Sequence, residues 1–284
     1  MACSGANGEL GSLNDGSSVR LGTTVLQPKH CPAMNNQAPS FAELTKDRQE
    51  WITATRKNRG FEQGITNLLT ELYPDNAHFI YELLQNAEDT HARTVRFTLS
   101  HEAIDFQHDG SRLFELNDVD SITSIGVSTK RNDPTSIGKF GVGFKAVFAY
   151  TSTPEIHSGE YHFRIRDLVV PEPLPKAEGA AETYFHFPFN HPKKNSARAV
   201  EEIERGLRAL ADNTLLFLNH IREIEYVLPG REVGTLRRVD RDSQGSGERI
   251  EIQSTKPGEH PTVSNWLRYR QEGGVIDEDG KSKT

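Results

Sequence analysis

In the stretch ELLQNAEDT, Glu82 and Asn86 stand four residues apart. On a helix that spacing sets the two side chains next to each other, within reach of one ligand. A carboxylate so placed can activate a water, and a neighbouring amide oxygen can coordinate a hard cation such as magnesium. The spacing by itself equally fits an ordinary solvated helix face. Further on, Asp109 and Gly110 follow a strand pattern that contains Ile104 and Phe106. Such a pair is most simply a hairpin turn, yet its carboxylate can also accept a hydrogen bond from the exocyclic amine of a purine, with Gly110 admitting the base. Then GKFGVGFKAVF places Gly138, Gly141 and Gly143 just before an apolar helix. Glycines permit unusual backbone angles, and free amides at a helix start attract phosphate; a flexible turn is the plain alternative.

Other chemistries fare worse. GVGFKA fits the Gly-x-Gly-x-x-Ala dinucleotide fingerprint, with Glu160 as a ribose partner, but that fingerprint needs a strand immediately before it. Here residues 132–138 are polar and contain Pro134. No phosphate loop of the Gly-x-x-x-x-Gly-Lys-Ser/Thr type, no Gly-x-Ser-x-Gly elbow and no catalytic cysteine context occurs. His157, His162, His186 and His191 lack metal-ligand spacing and read as surface or sheet residues.

The elements that must carry these residues follow from periodicity. A helix is expected from Ser40 with Phe41, Leu44, Trp51 and Ile52 as apolar positions, and a second around Ile65 to Leu72. Between about Asn76 and Thr90, Phe79, Ile80, Leu83, Leu84 and Ala87 form a buried stripe, and Glu82, Asn86 and Asp89 a separate polar one. Strands are expected at Val95 to Leu99, Ile104 to Phe106, Glu155 to His157, Tyr161 to Ile165, Thr183 to Phe189 and Ile221 to Leu228. A helix from about Ala197 to Ala211 precedes the last. The polar stretch from Asp118 to Lys139 is long enough for a mobile lid, a short helix runs from Phe144 to Tyr150, and Pro171, Pro173 and Pro175 mark an extended surface loop. A strand is expected near Trp266 to Tyr269. Residues 1–40 are expected to be a disordered leader, 41–240 a single domain, and 241–284 a charged extension.

Composition narrows the class. With 33 Lys and Arg against 40 Asp and Glu, the formal charge is −7, which argues against broad electrostatic binding of nucleic acid or anionic lipid. The two cysteines, Cys3 and Cys31, suggest neither a disulfide scaffold nor a zinc site, so a reducing compartment is expected. No apolar run approaches the roughly 18 residues of a membrane helix, and no secretion signal is read at the start; a cytoplasmic protein without membrane contact is the expectation.

Taken in order, the helix with Glu82 and Asn86, the strand end at Asp109 and Gly110, the glycine box at residues 138–144 and the strand with Thr183 resemble the ATP-binding (Bergerat) superfamily of gyrase, heat-shock chaperone, histidine kinase and MutL. Within it, ELLQNAEDT, DVDSITSIGVSTKR and IGKFGVGFKAVF look most like the sacsin-type branch, over about residues 60–190. The resemblance implies a two-layer α/β sandwich, a mixed and mostly antiparallel sheet with helices on one face, binding ATP and Mg2+. It also implies roles: Asn86 holds the metal, Glu82 orients the attacking water, and Asp109 reads the adenine amine with Thr183 in support. Asp89 and Thr90 lie near ribose and base, Gly138, Gly141, Val142, Gly143 and Phe144 line the phosphates, and Lys130 and Arg131 add charge from the lid. Such a domain hydrolyses ATP in a chaperone-like or switch protein, on an unidentified protein client, and commonly dimerises. Two alternatives stay open: a nucleotide-sensing scaffold without turnover, and a dinucleotide enzyme. The sequence departs from the superfamily's Asp-x-Gly-x-Gly at Ser111 to Leu113 and from its Gly-Thr at Glu182 and Thr183. Relatives often complete the site from a following domain, for which this chain is expected to be too short, leaving hydrolysis slow.

Overall fold

The computed structural model describes residues 40–56, 78–124, 143–177, 183–244, 247–269, 275–276 and 282–283. The first helix, α1 (Phe41–Thr55), starts at a capping box: the Ser40 hydroxyl accepts the Glu43 amide, and the Glu43 carboxylate accepts the Ser40 amide. It buries Leu44 and Ile52 but leaves Trp51 exposed. Next comes α2 (Phe79–Asp89), whose stripe of Phe79, Ile80, Leu83, Leu84 and Ala87 is buried as its period requires.

β1 (Thr94–Leu99) and β2 (Ala103–His108) form an antiparallel pair, followed by α3 (Leu116–Thr123). The first part of the stretch expected to be a lid is therefore helical. The short apolar helix expected from about Phe144 to Tyr150 is present as a 3-10 helix, Gly143–Ala149. β3 (Glu155–Ser158), β4 (Tyr161–Arg166), β5 (Val170–Pro173), β6 (Thr183–Pro188), α4 (Ser196–Arg208), α5 (Asn213–Leu216) and β7 (Glu223–Val227) follow. β8 (Val233–Gln244), β9 (Gly247–Thr255) and β10 (Thr262–Tyr269) extend the same sheet.

The sheet has ten strands in the order β10-β9-β8-β7-β1-β2-β6-β3-β4-β5. Among them β1 and β7 pair in parallel and the other neighbours antiparallel. One face packs Phe97, Phe106, Phe185, Phe187, Ile156, Phe163, Ile224 and Ile252 against the helices, in a single core with the stripe of α2. The expected mixed, mostly antiparallel two-layer fold is the one observed. Its antiparallel order around the glycine box is incompatible with the doubly wound parallel sheet of a dinucleotide enzyme, and Glu160 sits in the tight β3–β4 turn.

Two expectations are corrected. The proline-rich segment is not a free loop: Pro171 and Pro173 lie in edge strand β5, where a missing N–H costs no ladder bond on the open side. The boundary at residue 240 falls inside β8, so the sheet runs on through residues assigned to a charged extension. The period-two pattern was there in Leu236, Ile250, Ile252 and Ser254, all buried, but Arg and Glu on the alternate positions masked it. The leader, the helix at residues 65–72 and the rest of the lid lie outside the described residues.

Candidate functional site

α2 offers Glu82 and Asn86 on one half-buried face. The Glu82 carboxylate takes a contact from His78 Nε2 at 3.3 Å, one turn earlier. Its other oxygen lies against the start of the 3-10 helix, where a β-carbon on residue 143 would stand 1.8 Å from Oε2. Only glycine leaves the carboxylate in that place. Among the described residues, the Asn86 amide makes no hydrogen bond. Phe144, next to Gly143, turns its ring into the core beside Phe185 and Phe187, with centroids 6.2 and 6.1 Å apart. The structure thus brings Glu82 and Gly143 together, with Asn86 one turn further along α2 and Phe144 next to Gly143 in the chain. Lys130, Arg131, Gly138, Gly141 and Val142 lie outside the described residues.

At the far end of α2, Thr90 is buried and its hydroxyl donates to Ala87 O at 2.8 Å. Gly110 lies so close that a β-carbon there would meet Thr90 Oγ1 at 1.9 Å and His108 Nδ1 at 2.8 Å. The glycine admits this helix end and the His108 ring. On β6, Thr183 is buried and in register with His108, and its hydroxyl is 2.8 Å from that of Ser158. Asp89, beside Thr90, is half-buried.

Asp109 is placed differently from expectation. Buried Ile104, Phe106 and His108 alternate along β2 with the more open Asp105, Gln107 and Asp109. The Asp109 side chain is exposed, and Oδ1 accepts the amides of Arg93 and Thr94 at 2.7 and 2.8 Å. Its own partial burial raises the carboxyl pKa, but the amide donors of Thr94 and Arg93 outweigh that and hold it below the usual carboxylate range. In this role it clamps the end of β2 to the start of β1.

His108 was missed because Asp109 has the more obvious chemistry, though strict alternation from Ile104 and Phe106 would have found it. It is 5% exposed, and burial pushes its pKa down to about 4 against the raising influence of Asp109. Glu88 was missed too. Its buried carboxylate accepts the amides of Asn219, His220 and Ile221, fastening α2 to the approach to β7. Lys145, buried in the glycine-box helix, donates to Ile122 O at the end of α3 and to Leu168 O; burial, aided by Arg48, lowers its pKa to about 7.

Magnesium keeps several waters and takes one or two protein oxygens together with phosphate. An unbonded amide at Asn86 suits that need, and no group of three or more His, Cys, Asp or Glu residues suited to a metal occurs among the described residues. His157 and His162 face each other across β3 and β4 with Nδ1 atoms 3.3 Å apart, and His186 bonds Asp105. They are sheet residues, as expected. No helix among the described residues is long and apolar enough to cross a membrane.

Residues 108–173, from His108 through β5, match the family model of the sacsin domain. This segment is similar to the sacsin domain. It is 33% identical over 127 residues to Protein NO VEIN of Arabidopsis thaliana, covering 43% of this chain and 5% of that protein. To human Sacsin it is 33% identical over 132 residues, covering 37% of this chain and 3% of that protein. The chain therefore spans a small fraction of the length of these relatives. Among solved structures, it is similar to the B-subunit of the DNA gyrase from Myxococcus xanthus, at 13% identity and a TM-score of 0.36, covering 72% of this chain and 67% of that one. It is also similar to the ATPase region of Saccharomyces cerevisiae topoisomerase II, at 11% identity and a TM-score of 0.34, covering 63% and 57%. The family match takes in two of the three motifs, DVDSITSIGVSTKR and IGKFGVGFKAVF, in agreement with their sacsin-type resemblance.

Proposed function

We propose that this sacsin-type chain binds ATP with magnesium between α2 and the glycine box, and hydrolyses it to close the segment that follows α3. The observation that supports this most is the packing of the Glu82 carboxylate against Gly143, with the unbonded Asn86 amide one turn along the same helix. Asn86 would hold the magnesium, which when bound neutralises phosphate charge. The glycine box would line the phosphates through Gly138, Gly141, Val142, Gly143 and Phe144, with Lys130 adding charge. Glu82 orients the attacking water and takes its proton, and His78 keeps the carboxylate aimed. Thr90 and Thr183 would flank the base, and Asp89 the ribose.

The coupled output is a chaperone-like or switch cycle in the cytoplasm, acting on a protein client, in which the nucleotide orders one state of the lid and its loss releases it. A second reading, nucleotide sensing without turnover, gains support from His78, which occupies one oxygen of the Glu82 carboxylate. Isothermal titration with ATP and ADP, with and without magnesium, tests the binding; absence of magnesium-dependent heat would overturn it. A Glu82→Ala variant is expected to keep ATP affinity and lose phosphate release, whereas residual turnover equal to the parent's would favour sensing.

A further inference from the structure

His108 occupies the strand end at which the base of a nucleotide would lie, and its protonation is legible from its contacts. Nδ1 accepts the Gly110 amide at 3.1 Å. The Thr90 hydroxyl, 3.5 Å from Nδ1, spends its hydrogen on Ala87 O and cannot supply a second donor. A neutral imidazole has one donor and one acceptor nitrogen, so the proton sits on Nε2. Among the described residues Nε2 has no hydrogen-bond partner, and it is not one of the buried polar atoms left without one. A donor with no protein partner can give its hydrogen to an acceptor atom of a ligand. The surroundings suit a flat heterocycle. The rings of Phe106 and Phe185 lie 5.8 and 6.4 Å from the imidazole, and the hydrogen-bonded hydroxyls of Thr183 and Ser158 stand on the neighbouring β6 and on β3 beyond it.

We propose that His108 reads the purine base through an Nε2–H donor, so that the site selects an acceptor atom on the base and does not discriminate for the exocyclic amine of adenine. This rests on the nucleotide reading above and changes what that site demands. A carboxylate here would accept from the adenine amine and repel a 6-oxo group. A neutral histidine instead donates to N1 of adenine or to O6 of guanine and hypoxanthine with similar ease. Asp109, the acceptor that would have chosen adenine, is turned to the backbone of β1. Burial of the ring keeps it neutral at ordinary pH.

The test is titration calorimetry of the full chain with the magnesium complexes of adenosine, guanosine and inosine diphosphate. The parent is expected to bind all three within about threefold of one another. His108→Asp, which replaces the donor by an acceptor, is expected to shift the preference toward the adenosine form by at least about tenfold. A parent that already favours the adenosine form more than tenfold, or a folded His108→Asp variant with an unchanged ratio, overturns the proposal. Should that variant fail to fold, nitrogen-15 spectra of the parent's imidazoles decide: the His108 proton is expected on Nε2 and its resonance to move on nucleotide addition, and a proton on Nδ1 or an unmoved resonance overturns it. If the parent binds none of the three nucleotides, the nucleotide reading itself falls, and this one with it.

Discussion

Gly143 and Glu82 are matched so closely that a single methyl group at residue 143 would occupy the place of the Glu82 carboxylate, 1.8 Å from Oε2 and 2.3 Å from Cδ. The atoms in the way belong to the far end of a flexible side chain, so the fold can yield where the site cannot.

Gly143→Ala is accordingly expected to change stability by no more than about 1 kcal/mol, while phosphate release falls roughly 100-fold because the carboxylate is displaced. Urea melts and a phosphate-release assay separate the two effects. In a Glu82→Ala background the same glycine substitution should cost nothing further in turnover, since the group it displaces is gone.

Asp109→Ala tests the clamp. Two backbone amides lose their acceptor at the β1–β2 junction, and because the carboxylate is exposed the loss should be about 1–2 kcal/mol. Binding preference among purine nucleotides should not move. A large shift toward or away from adenosine diphosphate would return base reading to Asp109.

Glu88 carries more of the fold. Its removal strands three backbone donors next to a buried helix face, so Glu88→Ala is expected to destabilise by about 3–5 kcal/mol. The midpoint of a denaturant titration reads this directly; a change below 1 kcal/mol would mean that water replaces the carboxylate.

His108 makes stability depend on pH. Unfolded, the imidazole takes a proton near 6.5; folded, burial defers this to about 4. Between those values the unfolded chain binds more protons, so stability is full above 6.5 and declines as pH falls, by on the order of 3 kcal/mol when both limits are passed. His108→Asn should flatten that part of the stability profile measured by urea melts between pH 7 and 4. A parallel slope in both proteins would assign the effect to other groups.

Much of this was legible in the sequence because the signals are periodic. The stripe from Phe79 to Ala87 and the alternation in Val95, Phe97 and Leu99 each demand a buried face, and hydrophobic burial enforces them. The shared helix face of Glu82 and Asn86 was legible because it depends only on spacing along the chain. The site was illegible where a residue's role depends on which way a strand end faces. Asp109 and His108 are adjacent, and one step in register exchanges a buried position for an exposed one. Glu88 could not be read either, since its partners at Asn219 to Ile221 come from a distant part of the chain and are backbone groups, which carry no mark in sequence.

The parallel pairing of β1 with β7 has a kinetic meaning. Thr94 meets Glu223 only after the intervening chain has been threaded through β2 to β6 and three α-helices, while β7 to β10 form a meander of near neighbours that needs no such closure. Loop-closure entropy delays the distant pair. The C-terminal meander should therefore assemble early and wait, and the slow step of folding should be its zipping onto β1, the same event that lets the Glu88 carboxylate find its amides.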